Sequence, residues 1–148
     1  MATLRVEVVT PERALWSGLA IALMARSSEG EFTILPEHTP TVGDIVPEVL
    51  RVATDEGEIR FAVHGGYFQV GPDREDNVTL ATVLAGVAEL TTEIDVERAQ
   101  AAKEAAEATL SALSSNPDDH AGAALARAAL ARAELRLRAA SARRDVVQ

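Results

Sequence analysis

The 148-residue sequence contains no cysteine, and aromatic residues make up only 3% of it. Without cysteine there is neither a disulfide framework nor thiolate chemistry, which fits a reducing compartment such as the cytoplasm. Hydrophobic residues reach 47%, but the second half of the chain draws much of that share from alanine, which fills little volume. We therefore expect the large hydrophobic core in the first half.

Long apolar runs are also missing. The longest runs without a charged residue, such as residues 14–25, are shorter than the roughly 20 residues that a helix needs to cross a bilayer. The first residues include an acid, Glu7, where a secretory signal requires an apolar run. The sequence therefore predicts neither a membrane-spanning helix nor an export signal.

Basic residues are in the minority, because the chain has 14 lysines and arginines but 23 acids, which gives a net charge of −9. A nucleic-acid backbone binds to a basic surface, so this balance argues against a nucleic-acid partner. The charges are unevenly distributed. Residues 1–90 hold 14 acids and 6 bases, whereas residues 121–148 hold six arginines and two acids. An acidic first part is thus followed by a basic tail.

Motifs typical of catalysis are absent. No glycine-rich phosphate-binding pattern occurs, and the pair Gly65-Gly66 indicates a tight turn or bulge between two strands. The histidines are His38, His64 and His120, and none has a serine or an acid at the spacing of a nucleophilic or metal site. We expect no catalytic residues and no metal. A site assembled from distant residues is the alternative.

Short apolar segments separated by turn residues fill the first 90 residues and predict a β-sandwich. The predicted strands are residues 4–9, 19–25, 30–35, 41–46, 48–53, 58–63, 67–70 and 78–84. The second of these is apolar on both faces, which indicates a strand that lies between two layers.

Residues 30–40, Gly-Glu-Phe-Thr-Ile-Leu-Pro-Glu-His-Thr-Pro, combine a strand with a rigid corner. Phe32 and Ile34 alternate with polar residues as in a half-buried strand, until Pro36 ends the pairing. A turn held between two prolines loses little entropy on folding, so its polar side chains are fixed in place, as a docking surface needs. These side chains are Glu31, Glu37 and His38. A purely structural sandwich corner is the alternative.

After residue 90 the spacing of the apolar residues changes to the period of a helix. Thr92 or Asp95 can cap a first helix over residues 96 to about 113, and residues 121 to about 144 form a second one after a proline-containing break. A connection this short makes an antiparallel hairpin. The predicted fold class is α+β with segregated parts: a β-sandwich domain in residues 1–90 and a helical hairpin in residues 91–148.

Alanine dominates the predicted apolar seams of the two helices. The seam positions are Val96, Ala99, Ala106, Leu110 and Leu113, interrupted by Lys103, on the first helix, and Leu130, Ala133, Leu137 and Ala140 on the second. A buried leucine contributes roughly 1.5 to 3 kcal/mol and an alanine less. We therefore expect the hairpin to hold weakly to the sandwich and to be able to detach.

Three segments of the chain resemble the epsilon subunit of bacterial F-type ATP synthases. They are residues 30–40, residues 61–70 (Phe-Ala-Val-His-Gly-Gly-Tyr-Phe-Gln-Val) and residues 94–99 (Ile-Asp-Val-Glu-Arg-Ala). Their order and spacing match as well, and the resemblance covers residues 3–144. It implies a non-catalytic subunit of a proton-translocating ATP synthase, in the central stalk of this rotary motor. The complex would hold it peripherally at the cytoplasmic face of the cell membrane.

The resemblance also implies partners. The sandwich would bind the gamma subunit and rest on the c-ring, which couples hydrogen-ion transport to ATP synthesis, and Glu31 and His38 match the family's contact residues there. The hairpin would either fold down or extend toward the catalytic alpha/beta head and restrain ATP hydrolysis. The arginines that could then meet an acidic loop of the beta subunits are Arg127, Arg132, Arg136 and Arg138. Arginines that only solubilise a helix are the alternative.

Some members of the family bind ATP on the folded hairpin as a regulator. The matching positions are Glu89, Ile94, Asp95, Arg98, Ala99 and Arg143. Two arginines of the ATP binders are replaced here by Ala105 and Ala139, and Asp95 is also explained as an N-cap. A nucleotide-binding ATP sensor is therefore the alternative function, and no other cofactor is expected.

Overall fold

The computed structural model describes residues 2–74 and 77–144, without the side chains of residues 142–144. Contacts within the chain divide it into two units, Met1–Leu90 and Thr91–Gln148. The described part of the first unit is built of β-strands, and that of the second consists of a short 3-10 helix and two α-helices. The predicted α+β class, a sandwich followed by a helical hairpin, is confirmed.

The strands of the first unit form two five-stranded sheets. Their bounds are β1 Thr3–Val9, β2 Ala14–Ala20, β3 Ala22–Ser27, β4 Gly30–Ile34, β5 Thr41–Ile45, β6 Glu48–Thr54, β7 Gly57–Val63, β8 Gly66–Pro72, β9 Val78–Ala85 and β10 Ala88–Leu90. The front sheet has the order β2-β1-β9-β8-β5, and the back sheet has the order β10-β7-β6-β3-β4. Strands β1 and β9 pair in parallel, and the other neighbours pair antiparallel.

The hydrophobic core lies between the two sheets, because alternate side chains of each strand point inward. Its largest fully buried side chains include Phe61, Leu4, Leu23, Ile34 and Leu50. Two aromatic pairs contribute to it: Phe32 stacks on Phe68 with ring centroids 4.5 Å apart, and Trp16 meets Phe61 edge-on with centroids 6.4 Å apart. The cluster falls within residues 4–90, as the distribution of large apolar residues predicted.

One strand prediction was wrong. Residues 19–25 form the end of β2 and most of β3 and belong to different sheets, since Ala20 pairs with β1 and Ala22 with β6. The chain changes sheets at Ile21, whose side chain is 52% exposed. The apolar character of both faces therefore comes from a crossover and not from a strand between two layers. The first part of β2 and the short β10 were not predicted.

The turn at Gly65-Gly66 confirms the sequence-based interpretation. Gly65 has φ +99, a left-handed conformation that suits glycine. A Cβ atom on Gly66 would collide with the backbone oxygen of Leu84. The pair thus allows β8 to begin close to β9.

The second unit begins with the 3-10 helix Thr91–Glu93 and continues with α1, Val96–Leu113, and α2, His120–Arg144. Asp95 is the N-cap of α1, because its Oδ1 accepts a hydrogen bond of 3.1 Å from the backbone N of Arg98. Of the two predicted capping residues, Thr92 and Asp95, it is therefore Asp95 that caps α1. In the described residues, no helix has the length and apolar character to cross a membrane.

Buried alanines recur every seven residues on both helices. They are Ala99 and Ala106 on α1, and Ala126, Ala133 and Ala140 on α2. The predicted valine, leucine and lysine positions of the seam are half-buried. Leu135 and Ala139, which are 1% and 0% exposed, lie on another side of α2 and were not predicted.

Candidate partner-binding surfaces

The corner after β4 is anchored by a residue that is distant in the sequence. Glu37 adopts φ +68, a left-handed conformation that is uncommon outside glycine. Its backbone N donates a 2.7 Å hydrogen bond to Oγ1 of Thr79 on β9. Thr79 is only 6% exposed, so the corner is tied to a buried side chain of the front sheet.

His38 is held in a defined orientation on this corner. Its backbone N donates to the carbonyl of Leu35 at 3.1 Å, and its Nδ1 lies 2.7 Å from the carbonyl oxygen of Thr39. Because a carbonyl only accepts, Nδ1 carries the proton of this bond. In the neutral ring Nε2 is therefore an acceptor. His38 and Glu37 line an open groove of about 410 Å³ together with Pro40.

Glu31 lies at the other end of β4. Its side chain is 73% exposed, and its Oε1 lies 3.1 Å from Nη2 of Arg26 on the neighbouring strand β3. Arg26 also approaches Glu48, with 3.6 Å between Nε and Oε2. Glu31 is thus part of a small ion-pair group on the outer face of the back sheet. The structure does not bring Glu31 and His38 together.

The outer face of the front sheet presents a run of exposed apolar side chains. Val42, Tyr67 and Leu84 are 74%, 64% and 47% exposed. Tyr67 pairs with Leu84, and Leu84 pairs with Val9 of β1. The side chains of Tyr67, Leu84 and Val9 therefore form a row across β8, β9 and β1. An open groove of about 330 Å³, lined by Val9, Pro11 and Leu84 among others, continues this surface. Contiguous apolar surface of this kind is typical of a protein interface.

Sequence reasoning missed this exposed surface, although a signal was present. In β8, Tyr67 alternates with the inward-facing Phe68, so strand periodicity places a large aromatic residue on the outside. Pairing with Leu84 depends on a strand more than ten residues away. Such a register cannot be read from periodicity alone.

The predicted arginines of α2 lie on two sides of the helix. Arg127, Arg132 and Arg138 are exposed, whereas Arg136 is half-buried. With 3.6 residues per turn, Arg127 and Arg138 share one side, and Arg132 and Arg136 share another. The side of Arg127 and Arg138 points away from the buried alanines, whereas Arg132 and Arg136 lie on the side of the buried Ala139.

Several of the predicted nucleotide-binding residues are buried or already form contacts within the chain. Ile94 and Ala99 are 6% and 3% exposed, Arg98 is exposed, and Asp95 caps α1. Oε1 of Glu89, in the first unit, lies 3.5 Å from Nε2 of the buried His64.

At the two positions where ATP binders carry arginine, Ala105 is exposed and Ala139 is buried. The side chain of Arg143 lies outside the described residues. No group of three potential metal ligands occurs among the residues that the structure describes.

Comparison with known proteins assigns the family. Residues 3–91 match the profile of the ATP synthase delta/epsilon chain β-sandwich domain, and residues 92–141 match that of the long α-helix domain. The chain belongs to the ATP synthase delta/epsilon chain family. The resemblance found in the sequence is thereby confirmed.

Relatives in this family match over nearly the whole chain. The ATP synthase epsilon chain of Thermobifida fusca is 45% identical over 93% of this chain and 91% of the relative. That of Halalkalibacterium halodurans is 38% identical over 99% of this chain and 98% of the relative.

Two solved structures show the same fold. A chain of the Euglena gracilis mitochondrial ATP synthase, solved with its F1 part and c-ring, has a TM-score of 0.71 at 24% identity and covers 90% of this chain and 79% of its own length. A chain of the Tetrahymena thermophila mitochondrial ATP synthase central stalk and c-ring has a TM-score of 0.51 at 15% identity and covers 93% of this chain and 96% of its own length.

Proposed function

We propose that this chain is a non-catalytic epsilon-type subunit in the central stalk of an F-type ATP synthase. Its sandwich binds the gamma subunit and the c-ring and so couples proton-driven rotation to ATP synthesis. Its helical hairpin restrains ATP hydrolysis. The observation that carries the proposal is full-length similarity to ATP synthase epsilon chains, with 93% of this chain aligned at 45% identity. The complex would hold the chain at the cytoplasmic face of the membrane.

The outer face of the front sheet is the proposed gamma-binding surface. It exposes Val42, Tyr67 and Leu84, and the burial of large apolar and aromatic side chains dominates the energetics of most interfaces. His38 lies on the corner directly before β5, the strand of Val42, and is the second proposed gamma contact.

Glu31 is the proposed c-ring contact. It lies at the far end of β4 from His38, close to the turn between β3 and β4. Its carboxylate is 73% exposed even though it pairs with Arg26, so it can accept a further hydrogen bond from a polar loop.

The arginines of α2 are the proposed contact for hydrolysis control. Arg127, Arg132 and Arg138 are exposed, and a group of cations on one helix attracts an acidic segment and orients it during association. The catalytic alpha/beta head is the partner that the family membership suggests.

The docking surface can be tested by co-purification. Tyr67→Ser and Val42→Asp should lower recovery of the chain with gamma and the c-ring, because each removes apolar contact area. Leu125→Ser is the matched control, since Leu125 is 73% exposed but lies on α2. Undiminished recovery of both front-sheet variants would exclude this surface as the gamma contact.

Hydrolysis control is tested separately in the assembled complex. Deletion of residues 91–148 should raise ATP hydrolysis while gamma and the c-ring still co-purify with the sandwich. Unchanged hydrolysis would contradict the proposed inhibitory role of the hairpin but not the proposed coupling role of the sandwich.

An ATP sensor is the second candidate, favoured by the match at Ile94, Asp95, Arg98 and Ala99. Against it, Asp95 already caps α1 and Glu89 already lies beside His64. Isothermal titration of the purified chain with ATP separates the two functions. Micromolar binding would support the sensor.

A further inference from the structure

One polar side chain interrupts the inward-facing row of β9. The row consists of Thr79, Ala81, Val83 and Ala85, and all four residues are buried. A valine has nearly the shape of a threonine and favours a strand as well, but it carries a methyl group in place of the hydroxyl. Burial of a hydroxyl costs free energy unless the group forms a hydrogen bond. A threonine in this row therefore depends on its hydrogen-bond partner.

The partner of this hydroxyl is the backbone of the corner after β4. Oγ1 of Thr79 accepts the 2.7 Å hydrogen bond from the backbone N of Glu37. The φ angle of Glu37 is +68, which a residue with a Cβ atom adopts rarely and keeps where the surrounding structure imposes it. The hydrogen bond to Thr79 supplies such a constraint, because it fixes the direction of the N–H group of Glu37.

The conformation of Glu37 determines where His38 lies, since His38 is the next residue in the chain. The hydrogen bonds of His38 itself run to Leu35 and Thr39. They fix the ring relative to the corner, whereas the bond to Thr79 connects the corner to the front sheet. Nε2 of His38 has no hydrogen-bond partner among the residues that the structure describes. In the neutral ring it is an acceptor that a partner protein can use.

We propose that Thr79 is a positioning residue, whose hydroxyl holds the corner in the shape that presents Nε2 of His38 to an N–H or O–H donor of the gamma subunit. This inference rests on the proposed gamma contact of His38. Thr79 is only 6% exposed, so it acts through the corner and not by touching the partner. Without its oxygen, Glu37 can relax to an ordinary φ angle, and the side chain of His38 moves with it.

The binding test measures the Kd of the full chain for a gamma and c-ring subcomplex by surface plasmon resonance. Thr79→Val keeps the side-chain shape but removes the acceptor, so it should raise the Kd about fivefold, in the range of one lost hydrogen bond. Thr79→Ser keeps the hydroxyl and should stay within about twofold of the wild type. Thr33→Val is the matched control, because Thr33 is exposed on β4 of the back sheet. Wild-type affinity of Thr79→Val, or equal losses in Thr79→Ser and Thr79→Val, would overturn the proposal.

A mutant cycle with His38 separates this inference from the proposed function. If Thr79 acts through His38, Thr79→Val should weaken binding no further in a chain that already carries His38→Ala. The same loss in both backgrounds would contradict the positioning role. A loss with His38→Ala but none with Thr79→Val would contradict this inference alone, whereas wild-type affinity of His38→Ala would contradict the gamma contact of His38 itself.

NMR of the free chain tests the corner without any partner. In Thr79→Val the amide of Glu37 should exchange with solvent about tenfold faster, and the ring nitrogen signals of His38 should shift. Thr79→Ser and Thr33→Val should leave both observations unchanged. An amide of Glu37 that stays protected in Thr79→Val would show that another group holds the corner, which would contradict the proposal.

Discussion

Glu31 and His38 lie at opposite ends of β4, so one continuous sequence motif becomes two separate surfaces in the fold. Glu31 is fixed beside Arg26 at the start of the strand. His38 is fixed beyond the end of the strand by hydrogen bonds to Leu35 and Thr39. Four residues of strand span roughly 10 Å, which is too far for one partner side chain to engage both.

This separation predicts that substitutions at the two positions act independently. We expect Glu31→Gln and His38→Ala each to weaken binding of the chain to a gamma and c-ring subcomplex, and the double variant to show the sum of both losses. Additivity within about 0.5 kcal/mol is normal for sites that share no partner. Surface plasmon resonance on the four chains of this mutant cycle provides the measurement. A coupling energy above about 1 kcal/mol would contradict the two-surface arrangement.

The packing of Gly43 predicts a specific loss of sandwich stability. A Cβ atom on Gly43 would lie 2.5 Å from Cε1 of Phe68, and that ring is already stacked on Phe32 at 4.5 Å. Gly43→Ala should therefore lower the free energy of unfolding by about 1 to 3 kcal/mol, as overpacking does.

Urea denaturation followed by the fluorescence of Trp16 measures this loss, because this residue is the one tryptophan of the sequence and packs against the core. Gly86→Ala is the control, since a Cβ atom there meets no atom within 4 Å. Its effect should stay within about 0.5 kcal/mol. Equal effects of both substitutions would argue against the steric explanation.

The capping role of Asp95 predicts a local effect on α1. Its carboxylate accepts the bond from the backbone N of Arg98 at 3.1 Å, so Asp95→Ala should cost about 1 kcal/mol of helix stability. The amide of Arg98 should then exchange with solvent about fivefold faster. Asp118→Ala serves as the control, because Asp118 is an exposed residue of the connection between the helices. Unchanged exchange combined with a loss of ATP binding would instead favour a nucleotide site.

Features that depend on neighbouring residues could be predicted from the sequence. In β4, Phe32 and Ile34 point inward and Glu31 and Thr33 outward, since alternation is a property of any strand. The cap at Asp95 was predictable for the same reason, because a capping side chain reaches only the first turn of its own helix.

Features that depend on distant pairing could not be predicted. The corner is anchored through Glu37 and Thr79, which are 42 residues apart. The exposed apolar surface needs the register between β8 and β9, and the change of sheet at Ile21 needs the partners of β2 and β3. A hydrophobic pattern specifies which residues are apolar but does not identify their partners.

The alanine seam of the hairpin predicts that added volume will separate its helices. Ala133 is fully buried, and it recurs at a seven-residue interval with Ala126 and Ala140, so a larger side chain there must push its neighbours apart. Ala133→Leu should lower hairpin stability by about 1 to 3 kcal/mol, although leucine is itself a good helix former. Ala131→Leu makes the same chemical change at an exposed position of α2 and should be nearly neutral. Thermal melting followed by circular dichroism at 222 nm compares the two, and an Ala133→Leu variant as stable as the wild type would mean that the seam is looser than the buried alanines indicate.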